Sequence, residues 1–234
     1  MKSIKLFVLL LLQTSLFFAQ EINQMDANGM RHGIWKKTFE GSNILRYEGE
    51  FFHGKEIGLF KFYKNLKNKA VLTASKAFNK NDSKAYVTFF ASTGKVISEG
   101  TMDGKLYIGA WKYYQKDTDN LLTLEYYDAS GNLEGERIVY YPNGEIAEKQ
   151  FYKAGKLEGV SKVFSDKNVL LSEVVYVNGD LHGYSNYFSP TGELVAEGLY
   201  KNGKKEGIWK YYENGKLTEE KNLSALPKSI KKTP

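Results

Sequence analysis

The chain has 234 residues with no Cys, 17 Tyr, 14 Phe, 22 Gly and only 4 Pro, and its mean hydropathy is −0.46. Without thiols there are no disulfides, zinc knuckles, thiol catalysis or lipidated N-terminal Cys, and the polar mean hydropathy excludes a multi-spanning membrane protein. The net charge of +6 belongs to the two ends: setting aside Lys2, Lys5, Lys221, Lys228, Lys231 and Lys232, the 33 basic residues fall to 27, equal to the 27 acidic ones. A phosphate-tracking surface needs a net basic face, so no nucleic-acid partner is expected. High Tyr, Phe and Gly with little Pro favours short strands and tight turns over helices.

In chain order, Met1-Lys2-Ser3-Ile4-Lys5 is a short basic segment and Leu6–Leu12 an apolar run of signal-peptide length, too short to span a bilayer as a helix. Residues 1–19 are expected to be a cleaved signal peptide and 20–27 a linker, which makes the protein exported: periplasmic, envelope-associated or secreted. From residue 28 a Gly-x-x-x-Gly pattern recurs at Gly29/Gly33, Gly54/Gly58, Gly131/Gly135, Gly155/Gly159, Gly179/Gly183 and Gly203/Gly207, with Gly104/Gly109 one residue longer. The wide gap between the second and third of these along the chain predicts a hidden unit at Asn79-Lys80-Asn81-Asp82. Halfway through each unit a second turn signal appears, as at Thr93-Gly94, Asn143-Gly144, Thr191-Gly192 and Asn214-Gly215; Asn-Gly between apolar stretches is the strongest short hairpin signal because both residues tolerate positive φ. Lys64–Lys69 and Lys116–Asn120 read as slightly longer loops.

Between the turns the side chains alternate with the strand period of two. Counting from the second glycine, offset two carries Trp35, Phe60, Trp111 and Trp209, and offset four on the same face carries Phe62, Tyr113, Tyr187 and Tyr211. The opposite face receives Lys36, Lys61, Lys112, Lys162 and Lys210 at offset three and an aromatic at offset five, and the second strand of each unit carries a Glu.

Tyr47-Glu48-Gly49-Glu50-Phe51-Phe52-His53-Gly54-Lys55-Glu56-Ile57-Gly58 resembles a MORN repeat (membrane occupation and recognition nexus), whose pattern is Y-x-G-x-x-x-x-G-x-x-x-G. Asn202–Leu217 is similar to the bacterial MORN variant of the YwqK type, whose proteins are often labelled antitoxins. The resemblance covers residues 28–223, with departures near 79–102 and 131–152. It implies an all-β fold, an elongated single-layer antiparallel meander of about eight tandem hairpins, which the periodicity supports independently. At about 4.8 Å per strand, eight two-stranded units extend about 75–80 Å. Residues 224–234 read as a disordered basic tail.

Two readings of the aromatic row stand open: it forms the core, or Trp35, Phe60, Trp111, Tyr113, Tyr187, Trp209 and Tyr211 line a groove for a ligand or partner strand. The lysine row is either a ridge for anionic phosphates or one half of cross-strand pairs with the repeated Glu, and equal charge totals favour the pairs. His32 and His182 share one repeat position, where other units carry Glu134, Glu158 and Glu206, so it reads as a solvated turn position. These two histidines are six units apart, His₂-type zinc spacing is absent, and no metal site or cofactor is expected. No Gly-Lys-Ser/Thr phosphate loop or Gly-x-Ser-x-Gly elbow appears, and no non-repeat stretch is long enough for a catalytic domain; no catalytic residue is assigned and an enzyme is not expected. The expectation is an exported scaffold for a protein partner, with anionic lipid, an envelope glycan and antitoxin-like binding as alternatives.

Overall fold

The computed structural model describes residues 21–79, 81–116 and 118–224. The expected signal peptide and nearly all of the expected tail lie outside these residues. The described residues form nineteen strands and no helix.

The strands pair antiparallel with their neighbours in chain order. Gln24–Met25 (β1) pairs with Arg31–Thr38 (β2), which pairs with Leu45–Phe52 (β3), followed by Lys55–Leu66 (β4), Lys69–Phe78 (β5), Lys84–Phe90 (β6) and Val96–Asp103 (β7). Leu106–Tyr114 (β8), Leu121–Tyr127 (β9), Gly135–Tyr140 (β10) and Ile146–Lys153 (β11) continue the meander. Lys156–Leu157 (β12) and Gly159–Phe164 (β13) act as one interrupted strand, as do Asp180–Leu181 (β15) and Gly183–Phe188 (β16), with Leu170–Val177 (β14) between the two. Leu194–Lys201 (β17), Lys204–Glu213 (β18) and Lys216–Asn222 (β19) close the order. No pairing joins β19 to β1 or β2 among the described residues, so the sheet is open. Eight hairpin units result, and the hidden one is present: β5 and β6 meet across Asn79–Ser83 as the spacing predicted.

Three turn details differ from the sequence reading. Lys64–Lys69 is no longer loop, because β4 and β5 simply extend to a two-residue turn at Lys67 (φ 50°) and Asn68 (φ 61°). Asn143-Gly144 is not a two-residue turn: only Gly144 has positive φ, and the Tyr141 and Gly144 amides donate to the Glu145 and Tyr141 carbonyls in a longer loop. Part of the expected linker is a short edge strand, held where the Asn23 side chain accepts from the Lys36 amide at 2.8 Å and the Trp35 indole donates to the Gln24 carbonyl at 3.0 Å.

The second glycine makes a β-bulge in units that carry it, whereas β5 and β6 pair in unbroken register. Glu48 pairs with Lys61 and Glu50 with Ile57, so Gly58, Leu59 and Phe60 together face Gly49. Gly58, at φ 65°, takes the left-handed conformation that such a bulge requires. The bulge lays the offset-two ring on the facing glycine. A Cβ on Gly49 would overlap the Phe60 ring, one on Gly198 the Trp209 ring, and one on Gly100 would stand 2.5 Å from Trp111. Each indole then donates to a second-strand carbonyl beside the bulge, Trp111 to Thr101 at 2.9 Å and Trp209 to Leu199 at 3.1 Å.

The core of a single layer has to be covered by its own side chains, and here it lies along one face, called inner below. Phe60, Trp111, Trp209, Val87 and Ser185 have no exposure and Phe51 has 2%. Tyr107 stacks on Trp111 at 3.8 Å, while Phe51 and Phe78 meet Phe60 edge-on at 5.1 and 5.4 Å. In the unit at 131–152, which departs from the motif, Arg137 occupies the aromatic position. It is paired with Glu125 at 3.0 Å and Glu148 at 3.5 Å and donates to Gln150 at 3.1 Å, so a polar network replaces the ring.

The turns of successive units are tied along one edge. The Gly54, Gly155, Gly179 and Gly203 amides donate to the carbonyls of Arg31, Leu133, Leu157 and Leu181 in the preceding unit. The position read from sequence as a solvated turn carries a second tie: Glu134 accepts from the Ala154 amide at 2.7 Å and Glu158 from the Asn178 amide at 2.8 Å. Glu134 is solvent-exposed there, as the sequence reading has it, and makes this tie in addition.

Candidate binding surface

Phe60, Trp111 and Trp209 are fully covered, so these three stand in the core and line no open groove. Trp35, Tyr113, Tyr187 and Tyr211 are half-buried beside them on the inner face: Trp35 meets Phe51 at 5.9 Å, Tyr113 meets Trp111 at 6.4 Å and Tyr187 meets Trp209 at 6.2 Å. Lys205 lies over Trp209 at 3.8 Å and within 5.6 Å of the Tyr211 ring. The inner face is therefore occupied by its own contacts over the aromatic units.

On the outer face the lysine row is interleaved with the repeated Glu. Lys36 pairs with Glu48 at 3.5 Å, Lys162 with Glu173 at 2.8 Å and Lys210 with Glu197 at 4.0 Å. Lys61 and Lys112 stand directly across from Glu48 and Glu99. The offset-five tyrosines reach the same carboxylates: Tyr63 donates to Glu48 at 2.7 Å, Tyr114 to Glu99 at 2.6 Å and Tyr212 to Glu197 at 2.7 Å. Burial and the Glu48 carboxylate push the Tyr63 phenol up to about 12, burial and Glu99 do the same at Tyr114, and the Glu197 hydrogen bond with burial does so at Tyr212. The row is a charge-balanced lattice of Lys, Glu and Tyr.

Beside that lattice runs an exposed apolar stripe that the sequence reading passed over. It lies at offset one, next to each covered inner residue: Leu59, Val160, Tyr184 and Ile208 adjoin Phe60, Ser161, Ser185 and Trp209 and are 54%, 47%, 54% and 57% exposed. Cross-strand register carries the stripe in segments, Leu59–Ala77–Tyr86, Val160–Val175 and Tyr184–Leu199, separated by the polar residues Glu50, Thr101 and Glu136. The signal was present in the sequence as Ile34, Leu59, Ala110, Val160, Tyr184 and Ile208 one residue after each second glycine. Offset one lies in phase with the lysines at offset three, on the same outer face, as Leu59 and Lys61 show in pairing with Ala77 and Ser75. Toward the second turns, Ala91, Val96, Ile97, Tyr114, Gln115 and Leu122 line a shallow apolar cavity of about 320 Å³.

An open meander with one self-covered face and one apolar-striped face defines a repeat scaffold, whose units contact chiefly their neighbours in sequence. The family model described as MORN repeat variant matches residues 133–154, 181–202 and 205–224, so the resemblance expected from the sequence is found at these three positions. The match does not extend to the narrower YwqK-type label. No curated protein sequence matches the chain. A solved structure with similarity is that of a point mutant of S. aureus TarM in complex with Fondaparinux, alpha-GlcNAc-glycerol and UDP, at 12% identity and a TM-score of 0.28. That alignment covers 63% of this chain and 21% of the other, so this chain spans about a fifth of it.

Proposed function

We propose that the chain is an exported, non-enzymatic scaffold whose outer face binds a protein partner in the cell envelope. The observation that carries this reading is the exposed apolar stripe, recurring from unit to unit in segments beside a balanced Lys/Glu lattice. Exposed contiguous apolar surface marks interaction sites, and one without net charge suits a protein surface better than an anionic bilayer. Ion pairing of Lys36, Lys162 and Lys210 weighs against the lipid reading, since those ammonium groups already have carboxylate partners. Antitoxin-like binding is the same surface with a toxin as its occupant and needs a toxin in the same compartment.

The test is cross-linking capture from envelope extracts with three forms of the chain lacking residues 1–19. The wild type and a Lys36→Gln/Lys162→Gln/Lys210→Gln variant are expected to retain one partner, and a Val160→Lys/Tyr184→Lys/Ile208→Lys variant to lose it. Capture of nothing by the wild type, or equal capture by the stripe variant, defeats the reading. Co-sedimentation with phosphatidylglycerol vesicles that disappears in the Lys-row variant establishes the lipid alternative in its place.

A further inference from the structure

The first two units bring together three side chains: Asp26, in a turn whose hydrogen bonds recur at Asp128, His32, at the tie position that other units fill with Glu, and His53. Asp26 lies in the turn between β1 and β2, His32 on β2, and His53 in the turn between β3 and β4. One donor atom from each lies within 4.8 Å of the other two. In sequence His53 is 21 residues from His32, and pairing it with His32 rather than comparing His32 with His182 depends on the two turns being adjacent. The tie that makes them adjacent is the Gly54 amide donating to the Arg31 carbonyl at 2.8 Å.

The details favour ligation over a plain ion pair. Asp26 Oδ1 accepts from the Asn28 and Met30 amides, both at 2.9 Å, which fixes the carboxylate and turns Oδ2 to His53 Nδ1 at 2.6 Å. Hydrogen bonds of this kind orient metal-ligating carboxylates. At the tie position His32 Nδ1 accepts from the His53 amide at 3.5 Å, against 2.7 and 2.8 Å for Glu134 and Glu158 in their units, so the imidazole is a poor substitute in the structural role and its lone pair is weakly committed. The His53 side chain is 50% exposed, so an ion can enter from solvent. Donors about 2.0–2.1 Å from a tetrahedral ion stand about 3.3 Å apart. Asp26 and His53 therefore open by less than an ångström, and no separation among the three has to close by more than about 1.5 Å.

We propose that Asp26, His32 and His53 form a three-donor site for a borderline divalent transition-metal ion of the Zn²⁺ class, with water completing the coordination. Two imidazoles and a carboxylate suit Zn²⁺, Co²⁺ or Ni²⁺ rather than Ca²⁺ or Mg²⁺. The bound ion staples the β1 edge, a strand of only 2 residues, to the turn of the next unit.

The repeat itself supplies variants that keep the fold. His53→Asn places Asn where Asn178 and Asn202 already hold φ of 54° and 50° in homologous turns. His32→Gln keeps an acceptor for the His53 amide, and Asp26→Asn keeps Oδ1 for the Asn28 and Met30 amides. Calorimetric titration of the untagged, chelator-treated chain with Zn²⁺, paralleled by the visible spectrum of Co²⁺, is expected to show one ion per chain. Each of the three substitutions should weaken binding about tenfold or more, while His182→Gln leaves it unchanged and circular dichroism is the same for all. No saturable binding, binding unaltered by His53→Asn, or an equal loss in His182→Gln would overturn the site.

Discussion

At the scale of single residues, the tightest constraint is the contact of an aromatic ring with a bare glycine backbone. Gly100 pairs directly with Trp111 and has no positive φ, so its identity is set by space alone. Gly100→Ala and Gly198→Ala are expected to destabilise by about 1–3 kcal/mol through overpacking, measured by urea unfolding, and Gly100→Ala combined with Trp111→Leu should cost less than the sum of the single changes. A second residue-scale expectation concerns alkaline pH. In Tyr63 and Tyr114 the neutral phenol donates to a carboxylate, so the folded chain holds that proton more tightly than the unfolded chain, whose phenols ionise near 10. The stabilisation is complete below pH 10 and is lost as pH rises through the folded value of about 12. Tyrosinate absorbance should show late-titrating phenols, fewer in Glu48→Gln and Glu99→Gln; phenols titrating together near 10 would contradict it.

At the scale of the hairpin, the turns divide into two kinds that the sequence only half distinguishes. Most two-residue turns place both residues at positive φ, as at Asn202 (50°) and Gly203 (77°), although Gly104-Lys105 places only Gly104 (59°) there, whereas the longer loops place a single residue there, as at Gly144 (91°) or Asn168 (60°). The Asn-Gly dipeptide occurs in both, at 143–144 and at 214–215, so the dipeptide marks the reversal without fixing its geometry. Ala154 sits at φ 48° in a two-residue turn, a conformation costing a Cβ-bearing residue about 1 kcal/mol. Ala154→Asn is expected to stabilise by about 0.5–1 kcal/mol, read as a higher thermal midpoint, with no change in β-sheet circular dichroism. The strands themselves were legible because alternation and glycine spacing are local. The bulges were not, because their two extra residues appear only when facing strands are aligned, and with them went the adjacency of His32 and His53.

At the scale of the whole molecule, the meander contacts chiefly between consecutive strands, so stability is a sum over units and their junctions. Removing one 24-residue repeat, Gly155 to Asn178, joins Ala154 to Gly179 and recreates a turn of the same kind. The shortened chain is expected to fold, with unchanged far-ultraviolet signature and a rod about 10 Å shorter by small-angle scattering. Loss of cooperative unfolding on this deletion would show that the junctions are not interchangeable. At the far end β19 is exposed throughout and carries Lys216, Glu219, Glu220 and Lys221, a charged edge that resists pairing with a further strand.

Interchangeable junctions raise a problem of addressing. A strand displaced by one whole repeat meets nearly the same backbone partners, so hydrogen bonding alone does not tell one unit from the next while the chain is folding. The ring-on-glycine contacts supply the missing labels. They sit at the junctions of units one with two, three with four and seven with eight, at unequal intervals along the array. Trp209 slipped back by one repeat confronts Val174 where Gly198 should be, and the methyl groups deny the ring its seat. Few residues thus give each end of a near-uniform ladder its own address, and the three clamps make the correct register the one in which every large ring finds a bare backbone to cover.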